Sequence, residues 1–245
     1  MSLRGETWWL VGASEGLGRA LARAMADAGA RLIVSARDGD RLDALVETLP
    51  GARAVPCDVR DRSSVEDAAR RIGPVDGVVY LAGVYWPMRA QEWDTDKVEA
   101  MLDVNLTGAA RLLGAVLPEM IARDRGHIVL TGSLAGYRGL PGAIGYGASK
   151  AGLMHLAETL HADLRGTKVL VQQINPGFIR TRLTDKNDFS MPFIMDPDDA
   201  ARRMLALIEG RQVHAAFPWL FSLAFRVSRF MPQALYDRLF APTRA

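Results

Sequence analysis

Short apolar runs alternate with longer stretches of helical spacing from one end of this chain to the other. The runs at 8–11, 31–35, 52–56, 77–81, 127–131, 168–174 and 213–216 are almost continuously apolar. They read as strands buried on both sides. Between them, the segments 17–28, 41–49, 63–72, 97–123, 146–164 and 197–209 predict amphipathic helices. This alternation predicts an α/β fold: one doubly wound parallel sheet with helices on both faces, joined by right-handed crossovers. No repeat or linker interrupts it, so residues 1–245 are expected to form a single domain. Segment 178–195 lacks either period and is expected to be a loop lying over a site.

Residues 217–245 form a less expected tail. Trp219, Leu220, Phe221, Leu223, Phe225, Val227 and Phe230 surround a narrow polar stripe of Ser222, Arg226, Arg229 and Gln233. Pro232 interrupts the helix, which leaves it too short to cross a bilayer. Three readings stay open for 217–231: docking within the subunit or on another copy, peripheral contact with a membrane interface, and shaping of a substrate pocket.

Composition narrows the field. A net charge of +2 gives no electrostatic case for nucleic acid as a partner. The single cysteine, Cys57, excludes an internal disulfide and a thiolate cluster. The four histidines show no ligand spacing with carboxylates, so no metal site is expected. The amino-terminal apolar run is too short for a signal peptide, and a cytoplasmic location is the default, with membrane association left open by the tail.

Chemistry enters at the first strand's end. Gly12, Ala13, Ser14, Glu15, Gly16, Leu17 and Gly18 follow that strand and open the first helix. Such a turn brings backbone close to a pyrophosphate and aims free N–H groups at it, as in Rossmann-type sheets; an ordinary glycine turn is the plainer alternative. After the second strand, Arg37 stands where a carboxylate would select NAD(H), and with Ser14 it favours NADP(H). NAD(H) stays open because Asp38 could turn inward, as does a solvated Arg37 with Asp38 as a helix cap. Asp58 could accept from an adenine amino group while Val59 packs the ring, unless Asp58 is an ordinary turn residue. Ala82 and Gly83 would let backbone lie against the cofactor.

Tyr146 precedes Lys150 by four residues on a predicted helix, which places phenol and ammonium about 6 Å apart at Cβ. The ammonium is expected to draw the phenol's pKa down from ~10. Ser133 lies upstream after the fifth strand, and Asn105 within the preceding helix.

Taken in order, the glycine turn, Asp58, Ala82-Gly83, Asn105, Ser133, the Tyr146/Lys150 pair and Pro176-Gly177 resemble the short-chain dehydrogenase/reductase family over residues 7–216. The resemblance implies hydride transfer between a nicotinamide and a carbonyl or secondary alcohol. It implies Tyr146 as general acid or base, Lys150 as its modulator and ribose ligand, Ser133 as the group polarising the substrate oxygen, and Asn105 as holder of a relay water. It places Pro176, Gly177, the Ile179 backbone and the Thr181 hydroxyl by the nicotinamide, and implies a homodimer or homotetramer built on the two long helices. An NAD-linked alcohol or hydroxysteroid dehydrogenase is the enzymatic alternative. A non-catalytic dinucleotide-binding regulatory protein is the alternative from another class.

Two positions depart from the family pattern: Val11 replaces a threonine, and Tyr80-Leu81 replace two asparagines, with apolar packing expected to take over their brace. Tyr85, Trp86, Leu134, Tyr137 and the apolar residues of 191–195 are expected to wall an apolar ketone or aldehyde. Segment 185–188 reads as a solvated loop tip.

Overall fold

Trp8 and Leu10 turn to one face of the central sheet and Trp9 and Val11 to the other, although all four are apolar. That division recurs on every inner strand, because side chains alternate across a pleated sheet. In the computed structural model, which describes residues 3–240, seven parallel strands form one sheet. They are β1 (Thr7–Val11), β2 (Arg31–Ser35), β3 (Arg53–Ala54), β4 (Gly77–Tyr80), β5 (Gly126–Thr131), β6 (Val169–Pro176) and β7 (His214–Phe217). Their order is β3-β2-β1-β4-β5-β6-β7. The order reverses between β1 and β4, and in such sheets the ligand crevice opens at the carboxyl ends on either side of that point.

One face is covered by α1 (Gly16–Asp27), α2 (Gly39–Val46) and α7 (Pro197–Gly210). The other is covered by α3 (Arg62–Ile72), α5 (Gly108–Ala122) and α6 (Ile144–Asp163). Asp38 and Asp61 cap α2 and α3 by accepting from backbone N–H groups of the first turn. The β3 strand is much shorter than the expected 52–56, because Pro56 has no N–H to give an edge ladder.

The predicted helix 97–123 is not uniform. It runs as α4 (Thr95–Leu102), a π turn over Asp103–Thr107, and α5. The Tyr80 hydroxyl donates to the Val104 carbonyl inside that turn. Tyr80 is also fully buried, so apolar packing at this position comes with one hydrogen bond from β4 to the π turn. Gly108 makes room for it, since a Cβ there would lie 2.4 Å from the Tyr80 oxygen. The run Thr95–Ala122 is long and apolar enough to cross a membrane by length and composition, yet most of its large apolar side chains, such as Met101, Leu112, Leu113, Val116 and Met120, are packed in the core.

His127 on β5 lies in the core, edge-on to Trp8, with Nε2 2.5 Å from the Gln172 amide oxygen. Burial pushes its pKa down to about 4. The unfolded chain takes up that proton near ~6.5, so the His127 contribution to stability is complete above that pH and fades as pH falls toward 4. The loss should reach about 3 kcal/mol. Urea unfolding between these pH values should show it, and a His127→Gln variant should lack the slope.

Candidate active site

A cleft of about 510 Å³ opens along the carboxyl ends of the strands, within the usual size range for cofactor sites. Its floor is the turn from β1 into α1. Gly12 has φ +97°, and a Cβ on it would sit 2.4 Å from the Ala82 nitrogen. A Cβ on Gly18 would meet the Gly12 carbonyl oxygen at 2.0 Å. Gly16 has φ +53° and faces the Thr181 methyl group. The first N–H groups of α1 have no partner inside the helix, and Glu15 gives no side-chain cap. Donors for an anion therefore line a cradle that any side chain would fill, and the residues present fit a dinucleotide's phosphates.

The cleft wall includes Gly12, Gly16, Leu17, Gly18, Arg37, Asp58, Val59, Ala82, Gly83, Tyr146, Lys150, Pro176, Gly177, Ile179 and Thr181. Three of the expected residues lie off it. Ser14 sits on the turn but not on the wall, while Ser133 and Asn105 stand behind it. Asn105 is fully buried in the π turn. Its Oδ1 accepts from the Val84 N–H at 2.8 Å, and its Nδ2 donates to the Val84 carbonyl and the Ser149 hydroxyl, each at 3.0 Å. It staples the segment after β4 to α6, a structural use that spacing did not reveal.

The structure brings Ser133, Tyr146 and Lys150 together. Tyr146 lies in the first turn of α6, and the Ser133 hydroxyl hydrogen-bonds to its oxygen. Lys150, one turn on, is buried, donates to the Thr131 carbonyl at 2.8 Å, and holds Nζ 5.8 Å from the centre of the Tyr146 ring. Burial draws the Lys150 pKa down to about 8, so it stays largely charged at neutral pH. The Tyr146 pKa moves opposite to the expectation from spacing: burial raises it, and only the Ser133 hydroxyl pulls the other way. Desolvation of the phenolate outweighs an ammonium that points at the β5 carbonyl.

At the adenine end, Asp38 is spent on the α2 cap and an ion pair with Arg41. Asp58 is held by the Arg60 guanidinium, which keeps its carboxyl below the ordinary range. Cys57 lines the same wall, but burial pushes its thiol up to about 11, so it is neutral and unreactive.

Sequence reasoning missed Glu15, Arg41 and Arg182. The Glu15 carboxylate bridges Arg41 at 3.0 Å and Arg182 at 2.7 Å across the cleft mouth. Among the described residues, Arg37 makes no ion pair.

The substrate side also departs from expectation. Segment 185–188 is solvated as expected, with Asp185, Lys186 and Asp188 exposed, but it is also tied down. Lys186 donates to the Tyr85 carbonyl and lies 4.5 Å from the centre of the Trp86 ring, and Tyr85 hydrogen-bonds Asn187. Tyr85 itself packs edge-on to Tyr146, with ring centres 4.9 Å apart. Separately, Phe189, Phe178, Phe221 and Phe193 form a run of ring contacts, with Phe189 and Phe193 exposed at its ends. Tyr137 instead accepts from the Asn175 amide, and Leu134 is buried beneath Gly177.

With this geometry in hand, similarity to known proteins decides the family. The short chain dehydrogenase profile matches residues 6–190. The chain belongs to the short-chain dehydrogenase/reductase family. As a member, it is an NAD(P)-dependent oxidoreductase with a Rossmann-like parallel sheet. It is 39% identical over 236 residues to an uncharacterized oxidoreductase of Myxococcus xanthus, covering 93% of each chain. Among solved structures, an actinorhodin polyketide ketoreductase with NADPH aligns with TM-score 0.78 and 27% identity, over 86% of this chain and 94% of the other. The closed form of a serine dehydrogenase complexed with NADP+ aligns with TM-score 0.80 and 26% identity, again over 86% and 94%. In this short-chain dehydrogenase/reductase, Ser133, Tyr146 and Lys150 come together with Tyr85 packed against Tyr146.

Proposed function

We propose that this protein is an NADP(H)-dependent carbonyl reductase acting on an apolar ketone or aldehyde. The observation that carries the reading is the pair Tyr146 and Lys150 on the wall of a glycine-lined dinucleotide cleft, with the Ser133 hydroxyl bonded to the Tyr146 oxygen. When bound, the reduced nicotinamide supplies a hydride to the carbonyl carbon. Negative charge then gathers on the carbonyl oxygen, and the chain must meet it with donors. Tyr146 gives that oxygen its proton, and Ser133 offers a second hydroxyl. Lys150 adds a fixed positive charge one helical turn away. Burial holds the Tyr146 phenol in its protonated form, the form that can donate to the carbonyl oxygen.

Preference for NADP(H) rests on charge. Arg41 and Arg182 are ion-paired with carboxylates, while Arg37 lines the cleft without an ion pair among the described residues, and only its charge reaches Asp58, which is itself paired with Arg60. Its forked donors suit a 2′-phosphate. Arg37→Ala should weaken NADPH binding by about 10- to 100-fold and leave NADH within about twofold, the worth of charge-assisted hydrogen bonds to one phosphate. Fluorescence titration with both cofactors checks this, and equal losses for the two would remove the assignment. A panel of apolar ketones and aldehydes, followed by NADPH absorbance, tests the substrate class; turnover confined to charged carbonyls would refute it.

Pairing of two copies through α5 and α6 is consistent with the small residues Ala110, Gly114, Ala148 and Ala151 on their exposed faces. Small side chains let helices approach closely.

A further inference from the structure

Beyond β7 the chain forms α8 (Trp219–Ser228) and α9 (Gln233–Phe240). The serines of α8 turn inward: Ser222 and Ser228 are buried, and Phe221 and Phe225 pack below them toward the substrate loop. The large apolar residues turn outward. Trp219 is 68% exposed, Leu220 65%, Val227 53% and Phe230 85%. At 100° per residue these four and Leu223 share one face, and Arg226 and Arg229 flank one edge of it. Leu235, Leu239 and Phe240 on α9 and Phe193 on the substrate loop are also exposed. A helix set on a soluble core normally shows the reverse arrangement.

Charge indicates what covers this face. Arg226 and Arg229 are exposed and form no ion pair among the described residues. No carboxylate lies on α8, and the one on α9, Asp237, accepts from Gln233. A second copy would bring the same carboxylate-poor, arginine-edged surface. An anionic lipid headgroup brings the complementary charge, with acyl chains to receive the aromatic and aliphatic side chains.

We propose that α8, with α9, docks this protein on an anionic lipid surface. Trp219, Leu223, Val227 and Phe230 enter the headgroup–acyl boundary, and Arg226 and Arg229 meet phosphate groups. Arg138 holds the tail in this orientation. It donates to the Ser228 and Met231 carbonyls and to Gln233, and stacks 3.9 Å from the centre of the Tyr236 ring. Phe221 touches both Phe193 and Phe178, so the docked face is continuous with the substrate loop. The proposal goes beyond the hydride-transfer reading and stands without it.

Co-sedimentation of the full chain with phosphatidylcholine vesicles, with and without phosphatidylglycerol, tests it. The chain should partition onto the anionic vesicles and be released by salt. Arg226→Gln and Arg229→Gln should each lower the partition coefficient roughly fivefold. Leu223→Asp with Val227→Asp should abolish it while far-UV circular dichroism and NADPH binding stay native. The arginine variants touch no core contact and keep the test decisive should the aspartates unfold the helix. A chain left in the supernatant with anionic vesicles overturns the proposal. So does a dimer in sedimentation velocity that Val227→Asp dissociates, which would make a second copy the occupant.

Discussion

Tyr146→Phe is expected to cut turnover about a thousandfold while leaving NADPH affinity within a factor of about two, in line with the loss of one positioned proton donor. The substitution removes a single oxygen from a ring that already packs edge-on to Tyr85, so the fold has no reason to change. It leaves the Ser133 hydroxyl and the Lys150 ammonium where they are, which isolates the proton-transfer role from binding. Single-turnover NADPH oxidation with the best carbonyl from the panel, beside a direct binding titration, measures both numbers. Turnover within about threefold of the parent would place the proton donor elsewhere.

Lys150→Met is expected to make the protein more stable and nearly inactive. Burial brings the Lys150 pKa down to about 8, against an ordinary value near ~10.5. Below pH 8 the folded chain therefore carries an ammonium that the unfolded chain would keep solvated, and folding bears that cost. The cost fades as pH rises from about 8 toward ~10.5, so the Lys150 contribution makes stability climb with pH across that window. It amounts to about 3 kcal/mol, and the hydrogen bond to the Thr131 carbonyl returns about 1 of it. Methionine fits a similar volume without charge, for a net gain of about 2 kcal/mol at neutral pH and a flatter profile above pH 8. Denaturant unfolding of both proteins at pH 7 and pH 9.5 would show it. Activity should fall a hundredfold or more, because the proposed mechanism loses the lysine's fixed positive charge. A variant that is less stable at both pH values would mean that Lys150 braces the fold and the site's cost lies elsewhere.

Much of this arrangement was legible in local spacing. The strand–helix alternation, the glycine turn and the Tyr146/Lys150 interval are all set by contacts within a few residues. What escaped notice joins distant parts of the chain. Glu15 meets Arg182 across 167 positions, Tyr85 meets Asn187 across 102, and Arg138 reaches Ser228 across 90. No period of two or 3.6 residues carries that information. The Tyr146 pKa shows a second kind of limit. Helical spacing put an ammonium nearby, but the sign of the shift depends on how much water the fold removes and where the ammonium points. The tail shows a third: its pattern was plainly amphipathic, yet only the packing revealed that its serines face the core.

The fastening of that tail bears on how the enzyme is handled. Arg138 lies five residues after Ser133, and its four partners Ser228, Met231, Gln233 and Tyr236 all come from beyond residue 227. Clipping the chain after β7 would leave the Arg138 guanidinium without these partners and remove Phe221, the ring against which Phe178 and Phe193 pack. The tail is thus fastened to the segment that follows β5, and a truncation there is expected to loosen both.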